Sequence, residues 1–324
     1  MNFRTRQAAA VTLAAMLSAI AQCALGQDRY PYRPIRIIQG FSAGGVSDTL
    51  ARIVGDKLSE RFGQPVVVAT KPGGGGIVGM TTVVEATPDG YTLLLGNSSI
   101  TISPNRTEKP RFDPMQAFVP VSMFGTAPSI LLANLSLPVG SMNELVAHAK
   151  KMPGKINSAT SGIGTTNDLG IHLLNQMAGI KIVNIPYKGS GPSLTAVLGN
   201  ETALSFSPLL PAIPHVQYKR LKPLGLSGAK RNPAVPDVPT IGESLPGYEA
   251  DGFFGIVAYR EVPKPIIALL NKEINAVLAM PDVQAHFTRL GLDTRIMSIQ
   301  EFGDFIRTDA KRWASLVREA KLVF

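Results

Sequence analysis

Few residues of this 324-residue chain are of types that make or break bonds, and those few stand apart from one another. His148, His172, His215 and His286 are scattered without metal-ligand spacing and without a neighbouring acid or nucleophile motif. Gly189-Ser190-Gly191 comes nearest to the Gly-x-Ser-x-Gly of a hydrolase but lacks its spacing, and Gly162-Ile163-Gly164 has no catalytic partner. The sole cysteine, Cys23, lies in a removable leader, which leaves no thiol nucleophile, disulfide or thiolate metal site in the rest. An enzyme is therefore not expected, and neither a cofactor nor a metal is implied.

What recurs instead is glycine standing between an apolar run and a helical period. Residues 35–39 are such a run; Gly40 to Asp48 then read Gly-Phe-Ser-Ala-Gly-Gly-Val-Ser-Asp, and Leu50, Ile53, Val54, Leu58 and Phe62 follow at helical spacing. The first amides of such a helix have no intrahelical partner and sit at its positive end, so backbone alone can hold an anion there. Ser42, Ala43, Gly44, Gly45 and Ser47 are candidate ligand contacts. Asp48 is either a contact or the cap that fixes the turn, since a carboxylate in the first helical turn competes for the same donors. The device returns at Ser161-Gly162-Ile163-Gly164-Thr165-Thr166, nominating Ser161, Gly164, Thr165 and Thr166, and at Tyr187-Lys188-Gly189-Ser190, nominating Tyr187, Lys188 and Gly189. Asn97 ends a third strand at the same carboxyl edge as the first, where open α/β sheets bind ligands. Gly74, Gly76 and Gly79 satisfy Gly-x-Gly-x-x-Gly, a weak dinucleotide signal that follows the second strand and lacks the ribose-binding acid.

The elements that must position these turns are those of an α/β chain long enough for two domains. A content of 45 % hydrophobic and 17 % charged residues is that of a globular protein. Arg4 and Arg6 precede an apolar run and Ala24-Leu25-Gly26, the pattern of a cleavable secretory signal over residues 1–26. Its loss lowers the formal net charge by two, from +9 to +7. No basic cluster is interleaved with aromatics, so nucleic acid is not an expected partner. Extended runs at 118–124 and 129–133 mark an exit from the first domain. Ser141/Glu144 and Ser298/Glu301 read as capping boxes. Residues 230–248 carry four prolines and neither period, and read as a loop. The expected division is 27–122 with 254–324 as domain 1 and 123–253 as domain 2, joined by hinge crossings.

Six motifs occur in order: Tyr30-Pro31-x-x-Pro34-Ile35-Arg36, Gly44-Gly45-x-x-Asp48, Lys71-Pro72-Gly73-x-Gly75-Gly76, Pro88-Asp89-Gly90-Tyr91-Thr92-Leu93-Leu94, Pro186-Tyr187-Lys188-Gly189-Ser190 and Pro236-Asp237-Val238-Pro239-Thr240. Together they resemble the Bug-type solute receptors of tripartite tricarboxylate transporters. The resemblance implies a two-lobed periplasmic binding protein of the Venus flytrap, type II-like kind, with two doubly wound α/β domains. It implies a monomer that closes on a small organic carboxylate, held by backbone amides and ordered water, and delivers it to the membrane components of such a transporter; sensing without transport is the alternative. The chain departs from the family's pattern at Ser42-Ala43, where two prolines are usual, and at Thr70-Lys71, where Asn-Arg is common. It departs again at Phe206-Ser207-Pro208, where many members have an aspartate. Ser207 thereby joins the candidate contacts, and a ligand without an ammonium group, aromatic or aliphatic, is expected.

Overall fold

A computed structural model describes residues 30–106 and 110–319. The expected leader, and Cys23 within it, lie outside the described residues. Two mixed sheets form. The first has the order β2 (Val66–Thr70), β1 (Ile35–Gln39), β3 (Thr92–Asn97), β10 (Gly252–Tyr259), β4 (Phe118–Ala127), β11 (Asp293–Thr294), and the second β7 (Ile182–Pro186), β6 (Ile156–Thr160), β8 (Leu204–Pro208), β5 (Ser129–Ala133), β9 (Lys222–Leu226). In the first sheet β1 (Ile35–Gln39), β2 (Val66–Thr70) and β3 (Thr92–Asn97) run parallel. Helix α1 (Val46–Phe62) connects β1 to β2, α2 (Ile77–Val84) connects β2 to β3, and α3 (Ser99–Ile102) follows β3. After α4 (Pro114–Ala117), β4 (Phe118–Ala127) leaves this sheet and β5 (Ser129–Ala133) enters the other.

The second lobe continues with α5 (Met142–Lys151), β6 (Ile156–Thr160), α6 (Thr166–Ala178), β7 (Ile182–Pro186), α7 (Ser190–Leu198) and β8 (Leu204–Pro208). It closes with α8 (Leu209–Gln217), β9 (Lys222–Leu226) and α9 (Ile241–Ser244). Strand β10 (Gly252–Tyr259) returns antiparallel between β3 and β4. Helices α10 (Lys264–Leu278) and α11 (Pro281–Arg289), the short β11 (Asp293–Thr294) and α12 (Ile299–Glu319) are the last of the described elements.

Alternation along the strands shows why each sheet needs helices on both faces. Ile35, Ile37, Leu93 and Leu95 belong to one buried cluster, whereas Ile38 and Leu94 belong to the cluster on the opposite face. In the second sheet Leu131 and Ala133 face one cluster and Ile130 and Leu132 the other. The arrangement is the doubly wound one expected, although each sheet also contains antiparallel strands where the chain crosses between lobes.

Several local expectations change. The domain boundary placed at 122/123 falls inside β4, which runs on to Ala127 because its pairing with β10 extends to Gly252. The 230–248 segment is not wholly irregular: Thr240 and Glu243 form a full capping box on α9. The Ser298/Glu301 box is complete, but at Ser141 only half forms, since Glu144 turns to the Gly140 amide instead. Helix α12 is shared between lobes. Phe302 and Ile306 pack in a first-lobe cluster, and Trp313, with Leu316 and Val317 against it, packs in the second-lobe core.

On the outer side of the two crossings is a crease where Asp251, Asp309 and Arg312 meet. Arg312 donates to Asp309 at 2.8 Å and to the Asp251 carbonyl at 2.8 Å, while Thr101 donates to Asp309 at 2.6 Å. Burial pushes the Asp251 carboxyl up to about 6, against the hydrogen bond that Ser227 donates at 2.6 Å; Glu249 adds to the rise and Arg312 and Arg295 oppose it. The folded protein therefore binds this proton more tightly than the unfolded chain, and stability falls as pH climbs from the ordinary carboxyl value through about 6. The rise is worth up to about 3 kcal/mol at neutral pH, and the edge of Asp251 that reaches solvent reduces this to about 1–2 kcal/mol. Asp251→Asn keeps an acceptor for Ser227, so urea unfolding should find it more stable than the parent by about 1–2 kcal/mol at pH 8, with the gain gone below about pH 4. An equal gain at both pH values would contradict the assignment.

Candidate functional site

Between the lobes lies a cavity of about 520 Å³, its mouth included. Five strand ends and both crossings meet there. The first lobe contributes Phe41, Gly45, Val46 and Ser47 from the β1–α1 turn and Asn97, Ser98 and Ser99 from the end of β3. The second contributes Ser161, Thr165, Thr166 and Asn167 from the β6–α6 turn, Ser190 at the start of α7 and Pro208 at the end of β8. The floor is made by the crossings themselves, with Ala127 and Ser129 on one and Gly252, Phe253 and Phe254 on the other. Period-two alternation explains the division of labour. Ala127, Ser129 and Gly252 face the cavity, while Thr126, Pro128 and Asp251 line hollows on the outer side.

The two main turns are built alike. In the first, the Asp48 carboxylate accepts from the Gly44 amide at 3.0 Å; in the second, Asp168 accepts from the Gly164 amide at the same distance. Both glycines have positive φ, 75° and 72°, the left-handed step that lets the chain turn from strand into helix. Asp48 is also bonded by Arg52 at 3.1 Å; burial pushes its carboxyl up, but Arg52 and the Gly44 amide outweigh it and hold the group below the usual range. Asp168 is further held by the Asn184 amide at 2.7 Å. Each aspartate thus takes the amide of the turn glycine and leaves the next ones, at Val46 and Ser47 and at Thr166 and Asn167, free of intrahelical acceptors and directed from the helix end. Asp48 makes the bond expected of a turn-fixing residue.

None of the eighteen residues lining the cavity is charged. Its polar groups are hydroxyls, carboxamides and helix-start amides, and its apolar wall is Phe41, Val46, Ala127, Phe253 and Phe254. The Ser99 and Ser161 hydroxyl oxygens are buried there without a hydrogen-bond partner. Asn167 donates to the Ser129 hydroxyl at 2.8 Å, joining one turn to the floor.

Six of the expected contacts line the cavity: Gly45, Ser47, Asn97, Ser161, Thr165 and Thr166. Nine stand outside the lining. The amides of Gly44 and Gly164 are engaged by Asp48 and Asp168, and Asp48 is held further by Arg52. Ser42 gives its amide to the Lys188 carbonyl at 3.1 Å, with Ala43 beside it in the same turn. Tyr187 and exposed Lys188 belong to a second hollow, at the rim, that shares Phe41 and Ser161 with the cavity, and Gly189 is packed against Ser42. The Ser207 hydroxyl is buried without a partner, one residue before the lining Pro208. The nominated contacts leave out Phe41, Val46, Ser98, Ser99, Ala127, Ser129, Asn167, Ser190, Pro208 and Gly252 to Phe254. The floor residues carry no local mark, whereas Ser98, Ser99 and Asn167 adjoin nominated positions and were within reach of the same reasoning.

Residues 50–322 match the model of the family described as the tripartite tricarboxylate transporter family receptor, TctC. The chain belongs to that family. Its sequence is 34 % identical to the protein BugT of Bordetella pertussis over 295 residues, 90 % of each chain. It is 32 % identical over 321 residues to a UPF0065 protein from the tcbD-tcbE intergenic region of Pseudomonas sp. strain P51, covering 98 % of this chain and 95 % of the relative. Among solved structures, R. palustris Rpa4515 with adipate superposes with a TM-score of 0.88 at 29 % identity, over 91 % of this chain and 99 % of that one. MatC from Rhodopseudomonas palustris with bound malate superposes at 0.84 and 28 % identity, over 89 % and 100 %. The family's members are periplasmic binding proteins, so the chain is a receptor and not an enzyme.

The buried Asp168 ties the second turn to β7, and removing it leaves the Gly164 and Asn184 donors unpaired. Asp168→Ala should lower unfolding stability by about 1–3 kcal/mol, whereas Asp168→Asn, which keeps an acceptor, should lose less. Urea titrations of the two variants compare them, and equal losses would show that the carboxylate does not organise the turn.

Proposed function

We propose that this receptor captures one small organic carboxylate without an ammonium group in the cavity between its lobes and, as a periplasmic monomer, delivers it to the membrane components of a tripartite transporter. The observation that carries the reading is the pair of aspartate-fixed turns, which direct free helix-start amides from both lobes into a cavity without a charged side chain. An anion is favoured at such ends by only about 0.3–1 kcal/mol each, too little alone for the roughly −8 kcal/mol of micromolar binding. Hydrogen bonds to a charged acceptor add about 1.5–3 kcal/mol each. Four such donors, among them the unpartnered Ser99 and Ser161 hydroxyls, reach the required range before ordering costs are subtracted.

No carboxylate lines the cavity to pair with an ammonium group, and Phe41, Phe253 and Phe254 offer an aromatic surface to a carbon skeleton. The adipate and malate bound by the two R. palustris neighbours are organic acids without an ammonium group, which supports the same class here.

Calorimetry of the chain beginning at Gln27 against mono-, di- and tricarboxylates should find at least one binder near micromolar affinity and no turnover. Ser161→Ala should weaken it by about tenfold, the loss of one charge-assisted bond. A tight, selective response to aspartate or glutamate, or conversion of any panel member, would overturn the assignment.

A further inference from the structure

The Gly-x-Gly-x-x-Gly run is not used by the carboxylate site, yet its loop makes a close approach from one lobe to the other. Gly73, Gly74, Gly75 and Gly76, between β2 and α2, all have positive φ, at 138°, 59°, 65° and 100°. Four such steps in succession lay bare backbone at the lip of the cleft. A Cβ on Gly75 would overlap the carbonyl oxygen of Ile163 in the β6–α6 turn, and a Cβ on Gly162 would stand 3.6 Å from the Gly75 Cα. Arg106, following β3 and α3, donates through Nη1 to the Gly74 carbonyl at 2.9 Å and reaches the Ile163 carbonyl at 3.4 Å. Its guanidinium therefore touches carbonyls of both lobes at one point. Gly74, Gly75 and Arg106 are absent from the cavity lining and belong to the hollow at its rim.

These contacts need the lobes to be together, because each joins a first-lobe atom to the turn that leads into α6. The turn touched is also the one that carries Ser161, Thr165 and Thr166 into the cavity. From this geometry we infer that Gly75 and Arg106 form a clasp: bare backbone at Gly75 admits the Ile163 carbonyl, and Arg106 holds it, so that the pair sets the closed fraction of the receptor without touching the ligand. A ligand that binds only closed lobes has its apparent affinity scaled by that fraction. The clasp rests on the carboxylate reading only for that last consequence.

The test measures the distance between the lobes directly. The only cysteine, Cys23, precedes Gln27, so spin labels can be placed on Glu85→Cys and Lys181→Cys, exposed positions on the first and second lobes. Pulsed dipolar distances are recorded without ligand and with each carboxylate of the panel. In the otherwise unaltered chain a short-distance population is expected, and Gly75→Ala and Arg106→Ala should each reduce it by about half or more, with apparent affinity falling by the same factor, about twofold or more, when a carboxylate binds. Arg106→Lys should restore part of it, which a merely structural role for Arg106 would not do. Melting curves identify a Gly75 variant that fails to fold, in which case the Arg106 pair decides alone. Identical ligand-free distance distributions in parent and variants overturn the clasp. Failure of every carboxylate to bind the parent counts against the carboxylate reading, and the ligand-free comparison still decides the clasp.

Discussion

The proposed site depends on how an anion could be held in a cavity that no charged side chain lines. Helix-start amides can do it only if the chain does not use them itself, and a capping carboxylate is a rival for those donors. Asp48 and Asp168 resolve the conflict by position. Each is in the first helical turn but reaches back to the amide of the glycine four residues earlier, at 3.0 Å in both lobes. The turn is fixed, and the amides between glycine and aspartate stay directed into the cleft. Arg52 neutralises Asp48 from outside, and Asn184 satisfies Asp168 from the side.

The rest of the fold serves that placement. Two sheets, each covered on both faces, present the carboxyl ends of β1, β3, β6 and β8 to one another, and the crossings at Ala127–Ser129 and Asp251–Gly252 close the space between them. Helix α12 spans both cores, with Phe302 in one and Trp313 in the other, while Thr101, Asp309, Arg312 and Asp251 gather behind the floor. Packing and polar bonds thus join the lobes on the outer side, and glycine backbone joins them at the lip.

Much of this could be read from the chain because glycine in these turns is a conformational requirement. Gly44 and Gly164 sit at φ values that other residues avoid, so their spacing before helical periods marked both turns, and the twofold recurrence pointed to two lobes. What could not be read lies where function depends on register or distance. Ser129, Ala127 and Phe254 reach the cavity only because two strands cross side by side, and the apolar runs containing them look like any other buried strand. The expected boundary at 122/123 falls inside β4, which is prolonged to Ala127 by pairing with a strand more than 120 residues away. Tyr187 and Lys188 are nominated with the third glycine turn, and with Gly189 packed against Ser42 both line the neighbouring hollow.

In the proposed site the main-chain hydrogens of Val46, Ser47, Thr166 and Asn167 receive the ligand's carboxylate. Amide nitrogen–proton NMR spectra recorded while titrating a carboxylate that binds observe those hydrogens one by one. These four resonances should move to lower field together, with those of Gly44 and Gly164 held by their aspartates and moving less. Shifts centred on the rim at Arg106 and Lys188, with the four helix-start amides unmoved, would contradict it.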